Sequence, residues 1–377
     1  MNKRRVLLTT PYDLAVYGGV NNQLFGLYRY LLGRDGYDVR VIGPSSDPES
    51  IEDERITTIG KVSTLRMNGA KSNLTLELTI GGRIKAFLRD FEPDIVHLQE
   101  PFAPILNTWV LTHSKATNVG TFHTYSESGR GYFWAKPVLQ WKFNRLHMRI
   151  AVSEAAKRYV GATFPGNYAI VGNAIDALEI AEDSISRKGS AAPGQPKSVL
   201  FIGRMDEERK GFEYLNQAMA LLEQRQPRRY RLVAAGTGGG RWQGQSSGEW
   251  IRFTGALTSA ELQQELRSCD VLCAPSTGGE SFGIVLLEAM NFGKPVVASR
   301  IAGYSELIGE TGAGVLVDKE DGAALADGIE RVLGDAGDYV TRSREARRLA
   351  SRFTWNEIGS RITALYEEAI TGNAALE

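Results

Sequence analysis

Short β-rich runs alternate with helical periodicity along most of this chain, and that alternation constrains the fold more than any other feature. In the first half the pattern predicts strands and helices in turn: strands at 5–9, 38–42, 94–98, 119–122 and 150–152, with helices near 20–32 and 81–89. Such a βαβ series requires a parallel sheet with helices on both faces. The predicted fold class is therefore α/β.

The alternation stops between Ala181 and Lys197, where Ser, Gly, Pro and charged residues predominate, and then it resumes. The second series predicts strands at 198–202, 230–234, 250–254, 271–274, 295–298 and 314–317, with helices near 212–224, 259–267 and 280–291. A chain of 377 residues also suits two domains. We expect Rossmann-like domains at 1–178 and 179–355, facing each other across a cleft lined by the carboxyl ends of both sheets.

Composition describes an ordinary globular protein, with 42% apolar and 23% charged residues. The net charge of zero hides an asymmetry, because Lys and Arg outnumber Asp and Glu by 21 to 16 in residues 1–178 and are outnumbered by 28 to 23 afterwards. This favours an anionic surface or acceptor for the first half, and we expect no nucleic acid partner. No signal peptide is evident, which predicts a cytoplasmic protein. Cys269 and Cys273 lie in a predicted strand and are expected to be buried thiols.

Two carboxylates, Glu280 and Glu288, flank a predicted helix start after the buried strand that ends near Pro275. Glu280 is expected in the loop, and Glu288 about six residues into the helix. Backbone N–H groups at a helix N-terminus bind anions, and carboxylates accept hydrogen bonds from hydroxyls. The spacing therefore suits a nucleotide-sugar, with a sugar at one end and a ribose at the other. The alternative is a capped amphipathic helix with no ligand.

Three further patterns follow predicted strands. Arg204 and Lys210 come after the first strand of the second half, where two cations can neutralise a diphosphate leaving group. Gly18 and Gly19 open the first helix, where backbone can approach a ligand closely. His123 ends another strand of the first half. Each pattern has an alternative without a ligand. These alternatives are a solvated turn at Arg204 and Lys210, a tight turn at Gly18 and Gly19, and a histidine without function at His123.

Several classes of site are not supported. The glycines at 236–240 fail the dinucleotide spacing, so NAD binding is not expected. There is no Asp-x-Asp triplet, no Cys/His cluster with metal spacing and no nucleophile elbow, so we expect neither a metal nor a cofactor.

Taken together, these motifs resemble those of the retaining glycosyltransferases of family 4, which have the GT-B fold. The resemblance runs from Pro11 to about Trp355, and the pattern is similar to that of phosphatidylinositol mannosyltransferases. The shared stretches are 11–12, 18–20, 122–124, 151–153, 203–211, 275–290 and 353–355. The resemblance implies a metal-independent hexosyltransferase that uses a nucleotide-diphosphate sugar such as GDP-mannose or a UDP-sugar. It also implies that a last helix, 356–377, joins the first domain.

Roles follow from matching positions. The resemblance implies that Arg204 and Lys210 bind the diphosphate, Glu280 binds the hydroxyls of the transferred sugar, and Glu288 binds the ribose. His123 would lie beside the sugar and, with Arg204, Lys210 and Glu280, act in catalysis. The remaining donor contacts would be Gly18, Gly19, Leu257, Ser281, Phe282, Gly283, Ile284 and Val285. The acceptor head group would be held by Tyr12, Asn21 and Asn68.

Two positions depart from the family pattern. Ala174 stands where a glycine is usual at the domain junction, and it restricts the backbone there. Ser259 and Leu262 replace the charged residues expected of a guanine-reading loop, which leaves GDP-mannose and UDP-sugars both open.

The expected reaction transfers a mannose- or glucose-type hexose to an acceptor hydroxyl with retention. Attack occurs on the face that the diphosphate leaves, and the departing phosphate takes the acceptor proton. A nucleotide-sugar 2-epimerase is an alternative, although four histidines are few for its acid/base chemistry. A sensor that binds nucleotide-sugars without catalysis is another.

A second hypothesis concerns an anionic membrane at the inner face. Residues 128–149 hold five basic residues and no acid, interleaved with five aromatic residues, and residues 61–89 add six basic positions against Glu77 alone. Basic charge beside aromatics suits a membrane interface and a lipid-linked acceptor. The alternative is a helix that packs its aromatics in the core.

Overall fold

The computed structural model describes residues 3–16, 18–67, 70–127, 132–179, 195–243 and 250–374, and it divides the chain into two compact units. Domain 1 comprises Met1–Asp176 and Phe353–Glu377, and domain 2 comprises Ala177–Arg352. The first boundary lies two residues before the predicted one. The predicted linker falls mostly on residues 180–194, outside the described residues.

Domain 1 is built on a seven-stranded, fully parallel sheet in the order β3-β2-β1-β6-β7-β8-β9. Its strands are β1 (Arg4–Thr9), β2 (Tyr37–Gly43), β3 (Ile56–Thr58), β6 (Ile95–Gln99), β7 (Thr117–Phe122), β8 (Met148–Ala151) and β9 (Ala169–Ile170). A separate antiparallel hairpin pairs β4 (Val62–Met67) with β5 (Ala70–Thr75). The central strands β6 and β7 are buried along their whole length, as expected of a sheet covered on both faces.

Six described helices belong to domain 1: α1 (Gly19–Leu32), α2 (Gly81–Phe91), α3 (Leu106–His113), α4 (Lys136–Asn144), α5 (Glu154–Gly161) and α13 (Trp355–Ala374). Helices α1 and α13 pack on one face of the sheet, and α2, α3 and α4 contribute to a second core on the other. Within the described residues, no helix is both long and apolar enough to span a bilayer.

Domain 2 has a six-stranded parallel sheet in the order β12-β11-β10-β13-β14-β15. The strands are β10 (Lys197–Ile202), β11 (Tyr230–Ala235), β12 (Ile251–Gly255), β13 (Val271–Ala274), β14 (Val296–Ser299) and β15 (Gly314–Val317). The described helices are α6 (Phe212–Arg225), α7 (Gly240–Gln243), α8 (Ser259–Ser268), α9 (Ile284–Asn291), α10 (Ala302–Ile308), α11 (Gly322–Gly334) and α12 (Ala336–Ser351). Both sheets are doubly wound, so the α/β fold class with two Rossmann-like domains is confirmed.

The predicted strands match the observed ones to within two residues at each end, because apolar and β-branched residues predominate in them. Cys269 and Cys273 are buried free thiols, as predicted. The hairpin β4–β5, the short strands β3 and β9, and the helices α3, α5, α7, α10, α11 and α12 were not predicted. Helix α3 lacks a sequence signal at its start, since its N-cap is Ile105 and no side chain within the described part of the chain caps it.

The chain passes from domain 1 to domain 2 after Asp176 and returns at Phe353. The two segments that make these crossings pair with each other inside domain 1. Ile175 donates its N–H to the carbonyl of Phe353 at 2.9 Å and accepts from the N–H of Trp355 at 3.1 Å. Gln23 of α1 holds the first crossing at Ala174, donating to its carbonyl at 2.9 Å and accepting from its N–H at 2.7 Å. Position 174, where the family pattern has glycine, is therefore tied to α1 through its backbone.

A buried histidine fixes α13 to the domain 1 sheet. His97 in β6 lies 2.7 Å from the Tyr366 hydroxyl through Nδ1 and 2.7 Å from Thr121 Oγ1 through Nε2. Burial, reinforced by the nearby His123, lowers the pKa of His97 to about 3. The ring is therefore neutral in the folded protein at neutral pH.

We expect His97 to make the protein acid-sensitive. In the unfolded chain a histidine takes up a proton near pH 6.5, whereas folded His97 does not until about pH 3. The free energy of unfolding should therefore fall as the pH drops through this window, by about 1.4 kcal/mol per pH unit. Urea unfolding at several pH values checks this. His97→Gln should be less stable at neutral pH but show a shallower pH dependence, while His113→Gln should keep the wild-type slope; an unchanged slope in His97→Gln would contradict the assignment.

Candidate functional site

Most of the predicted site residues that the structure describes lie in loops at the carboxyl edge of a sheet, and those after β1, β10 and β13 lie next to the points where the strand order reverses. In domain 1 the order reverses between β1 and β6, and in domain 2 between β10 and β13. Ligands of doubly wound sheets bind outside such switch points. The loop after β10 carries Arg204 and Lys210, and the loop after β13 carries Glu280, so the sheet brings together residues 70 positions apart.

In domain 2 a carboxylate and two cations form the centre of this site. Lys210 Nζ donates to Glu280 Oε1 at 2.7 Å, and Arg209 Nη1 donates to the same oxygen at 2.8 Å. Burial alone would raise the pKa of the Glu280 carboxyl, but the charges and hydrogen bonds of Lys210 and Arg209 outweigh it and lower this pKa. Glu280 is thus an anion held between two cations.

A second carboxylate extends the cluster. Glu207, which is buried, forms an ion pair with Arg204 and another with Arg209 at 3.0 Å. The five charged residues sum to one positive charge, which leaves the cluster attractive to an anion. The sequence prediction missed Arg209 and Glu207. The signal for Arg209 was present, because it precedes Lys210 directly.

Glycine lets these two loops approach each other. Gly211, next to Lys210, has a φ of +65°, and a Cβ there would lie 1.9 Å from the carbonyl oxygen of Pro275. Gly303 at the start of α10 supports the other side, since a Cβ there would lie 2.4 Å from the carbonyl oxygen of Glu280. Any larger residue at either position would push the loops apart.

Helix α9 begins directly after this loop. Its N-cap is Gly283, with a φ of +102°, and within the described residues no side chain caps the helix. The backbone N–H groups around Phe282, Gly283, Ile284 and Val285 are those that a helix N-terminus presents to an anion. Glu288 is the fifth residue of the helix and is half-buried, close to the predicted depth, and Ser281 lies in the bend before the cap.

The loop expected to read the base follows β12. Leu257 is half-buried there, between Gly255 and the helix α8. Thr258 and Glu261 form a capping box at the start of α8, in which Glu261 Oε2 accepts from the Thr258 N–H at 2.8 Å. The carboxylate of Glu261 is therefore engaged in holding the helix start.

In domain 1, Gly18 is the N-cap of α1 and Gly19 its first residue. Gly18 has an extended backbone that any residue adopts, and a Cβ there would meet no protein atom within 4 Å. Neither conformation nor packing within the described residues requires glycine at position 18. A ligand that lies close to the backbone at position 18 would require a glycine there.

The predicted acceptor residues have different surroundings. Tyr12 is half-buried in the loop after β1. Asn21 is buried, and its amide is committed to that loop: Oδ1 accepts from Thr10 Oγ1 at 2.9 Å, and Nδ2 donates to the carbonyls of Asp13 at 2.7 Å and Val16 at 3.2 Å. This geometry makes Asn21 a positioning residue for the loop, and its direct contact with an acceptor stays a prediction. Asn68 lies outside the described residues.

His123 follows β7 at the same edge. Its Nε2 lies 2.6 Å from Gln99 Oε1, so the imidazole donates this hydrogen bond, and its backbone N–H donates to Glu100 Oε1 at 2.7 Å. Burial lowers the pKa of His123 to about 4, which makes the ring neutral at physiological pH. Its contact with a sugar stays a prediction.

The aromatic residues of 128–149 divide between core and surface. Phe143 is buried, while Tyr132 and Trp141 are half-buried against the same core. Phe133 and Trp134 are 62% and 83% exposed. The cations of this segment are also split between core and surface, because Lys142 is buried and Lys136 is exposed. Arg130 lies outside the described residues.

Among the described residues, no three His, Cys, Asp or Glu side chains group so that they could hold a metal ion.

Family models match both domains. The model described as Glycosyltransferase Family 4 matches residues 17–177, and the model described as Glycosyl transferases group 1 matches residues 196–335. A phosphatidyl-myo-inositol mannosyltransferase of Mycobacterium leprae is 33% identical, and the alignment covers 99% of each chain. One from Propionibacterium freudenreichii is 32% identical over 97% of this chain and 95% of its own.

Solved structures share the fold. A sucrose-phosphate synthase from Thermosynechococcus elongatus superposes with a TM-score of 0.74 at 21% identity, covering 98% of this chain and 100% of its own. The Anabaena protein HepE, in complex with UDP, gives a TM-score of 0.75 at 19% identity and covers 97% and 100%. At these identities the likeness shows the fold alone.

Proposed function

We propose, on the premise that this chain belongs to glycosyltransferase family 4 and is a glycosyltransferase, that it moves a hexose from a nucleotide-diphosphate sugar to a phosphoinositol-like, lipid-linked acceptor. The observation that carries the donor half is the cluster of Lys210, Arg209 and Glu280 beside the start of α9. The acceptor half is supported by the full-length relatives, which are named phosphatidyl-myo-inositol mannosyltransferases.

The donor would lie along the loops after β10 and β13. Arg204 and Lys210 would meet the diphosphate together with the N–H groups at the start of α9, because cations and helix N-termini both attract phosphate. Glu280 would accept hydrogen bonds from the sugar, and Glu288 from the ribose. The base would contact the loop at Leu257, and Gly18 would allow the backbone to approach the phosphates.

We propose transfer with retention and without a metal or cofactor. The carboxylate of Glu280 is already paired with two cations and has a lowered pKa, which makes it a poor nucleophile. Attack from the face that the diphosphate leaves needs no enzyme nucleophile. The departing phosphate oxygen would take the proton of the acceptor hydroxyl, while Arg204 and Lys210 stabilise its charge.

A nucleotide panel followed by a transfer assay tests this function. GDP, UDP, ADP and their sugars are compared by thermal shift, since a ligand that binds the folded state raises Tm by mass action. The best donor is then incubated with phosphatidylinositol, and NMR of the product reports the anomeric configuration. Inversion would overturn the retaining mechanism, and an epimerised donor without acceptor would favour the 2-epimerase.

We also propose that domain 1 binds the cytoplasmic face of an anionic membrane, where such an acceptor is embedded. Among the described residues, every large apolar side chain that is exposed lies in domain 1. All but Leu32 lie at the carboxyl edge of the sheet, in the loop after β1 or at the starts of α2 and α4: Val16, Leu76, Leu78, Phe133, Trp134 and Val138. Exposed apolar groups clustered on one edge mark an interaction surface, and the exposed Lys136 between Trp134 and Val138 favours an anionic bilayer.

Trp134→Ser is expected to weaken vesicle binding about 10-fold or more, because the exposed indole would lose its burial in the lipid interface. Co-sedimentation with vesicles of phosphatidylcholine, with and without phosphatidylglycerol, measures the effect. Leu32→Ser is the matched control, since Leu32 is exposed at the opposite edge of the sheet, where α1 ends. Equal loss in both variants, or no dependence on anionic lipid, would count against this surface.

A further inference from the structure

Gln99 is a buried amide at the carboxyl end of β6 that the proposed reaction has not used. Only 3% of its surface is exposed, and its Oε1 lies 2.6 Å from His123 Nε2. Its backbone is held from two sides, because Gln99 pairs with Thr121 of β7 and its carbonyl accepts from Asn107 Nδ2 at 2.8 Å. The amide that contacts His123 therefore stands on the sheet itself and not on a loop.

A second polar pair lies beside this contact on the same two strands. His97 Nε2 lies 2.7 Å from Thr121 Oγ1, and both residues are two positions before Gln99 and His123. Residues two apart along a strand point to the same face. The two pairs therefore follow each other along one face of the sheet, and the second pair ends at the predicted site residue His123.

A cavity of about 20 Å³ borders both Gln99 and His123, which is space for one water molecule or hydroxyl group. Its wall also includes Asn173 of the crossing segment, and Trp355 and Ile358 of α13. Close packing fixes most buried side chains, but a ring that borders a cavity is packed less tightly on that side. The hydrogen bond from Gln99 is therefore needed to set the rotation of the imidazole.

The same hydrogen bond selects one tautomer of His123. An amide oxygen only accepts, so the single proton of the neutral ring lies on Nε2 and Nδ1 keeps its lone pair. The ring is half-buried, and within the described part of the chain Nδ1 has no hydrogen-bond partner. A nitrogen with a lone pair can accept from a hydroxyl, whereas it repels the oxygen of an ionised phosphate.

We infer that Gln99 is the positioning residue of His123: it fixes the Nε2–H tautomer and so prepares Nδ1 to accept a hydrogen bond from a substrate hydroxyl. The inference rests on the proposed function for the identity of the substrate and deepens it. His123 becomes an acceptor toward the substrate, with no proton on Nδ1 to give to the diphosphate.

Imidazole nitrogen NMR tests the tautomer directly, because protonated and unprotonated ring nitrogens differ in chemical shift. The chain has four histidines, and spectra of His123→Gln identify the signals of His123. His147 is the internal reference, since its Nδ1 accepts from the backbone N–H of Asn118 at 2.8 Å and its proton must lie on Nε2. At alkaline pH we expect His123 to share this pattern in the wild type and to become a mixture of tautomers in Gln99→Leu, which has no acceptor oxygen.

Transfer kinetics give the second reading. Gln99→Leu should lower kcat/KM for transfer about 10- to 100-fold, the range for losing a group that orients a metal-binding histidine. The Kd for the nucleotide diphosphate should not change, because Lys210 and the start of α9 lie in the other domain. Gln224→Leu is the matched control, since Gln224 is exposed on α6, and it should leave both quantities unchanged.

Gln99→Glu separates positioning from packing. Its carboxylate keeps an acceptor oxygen for Nε2–H, so the tautomer and transfer at alkaline pH should be retained, although burying a charge should lower Tm more than leucine does. The added charge should also raise the pKa of His123, whose titratable neighbours are His97 and Glu100. Transfer by this variant should therefore fall as the pH drops, because an imidazolium has no lone pair.

A wild-type His123 that carries its proton on Nδ1 would overturn the inference, and so would an unchanged tautomer or unchanged transfer in Gln99→Leu. Transfer that follows Tm, with Gln99→Glu worse than Gln99→Leu at alkaline pH, would indicate a purely structural role and also refute it. If Gln99→Leu does not fold, the wild-type spectrum and the pH profile of Gln99→Glu decide. If the wild type transfers no sugar, the proposed function fails, and the spectra alone decide whether Gln99 positions His123.

Discussion

Replacement of Lys210 by alanine is expected to lower kcat by about 10²–10³, the usual effect of removing one group that stabilises developing charge. In the proposed reaction the diphosphate gains negative charge as the glycosidic bond breaks, and Lys210 stands at the centre of the domain 2 cluster. The fold should survive, because Arg209 remains paired with Glu280. Steady-state kinetics at saturating donor, together with Tm, measure both expectations.

The matched control is Arg331→Ala, which removes an exposed cation from α11 of the same domain. It should leave kcat unchanged and so exclude a general effect of net charge. Near-wild-type turnover by Lys210→Ala on the true donor would remove Lys210 from the mechanism.

Glu280→Gln should separate binding of the nucleotide from transfer of the sugar. The carboxylate of Glu280 holds Lys210 and Arg209 through one oxygen, and it is proposed to accept hydrogen bonds from the sugar. Losing charged hydrogen bonds of this kind should lower kcat/KM for transfer by roughly 10²-fold. Lys210 and Arg209 would then lose one competing anion, while Arg209 keeps its ion pair with Glu207, so the Kd for the free nucleotide diphosphate should stay the same or fall.

Calorimetry measures the Kd for the nucleotide diphosphate, and steady-state kinetics with the nucleotide-sugar measures kcat/KM for transfer, both on one preparation. Glu306→Gln on α10 serves as the control for loss of a carboxylate elsewhere in domain 2. Weaker nucleotide binding accompanied by normal transfer would reverse the assigned role of Glu280.

The architecture could be predicted because apolar and β-branched residues predominate in the buried parallel strands, β10 and β13 among them. Their neighbouring loops also supplied Arg204, Lys210 and Glu280. The sequence could not predict how these side chains are arranged relative to one another. That Lys210 and Arg209 share one oxygen of Glu280 depends on the pairing of β10 with β13 and on the close approach at Gly211.

Other features depend on burial, which no local pattern specifies. Asn21 matched an acceptor-binding position, yet its amide is engaged by its own loop. The split of the aromatic residues 132–143 between core and surface likewise required the packing of α4.

The pairing of Ile175 with Thr354 has a consequence for engineering. Because the two crossings lie side by side within domain 1, domain 2 is topologically one long insertion whose ends are adjacent. Insertions with adjacent ends are readily transplanted, since the host needs only to join two neighbouring chain ends. Residues 177–352 can therefore be treated as an exchangeable cassette, and under the proposed function a grafted domain 2 would change the sugar donor while domain 1, the proposed acceptor-binding part, stays intact.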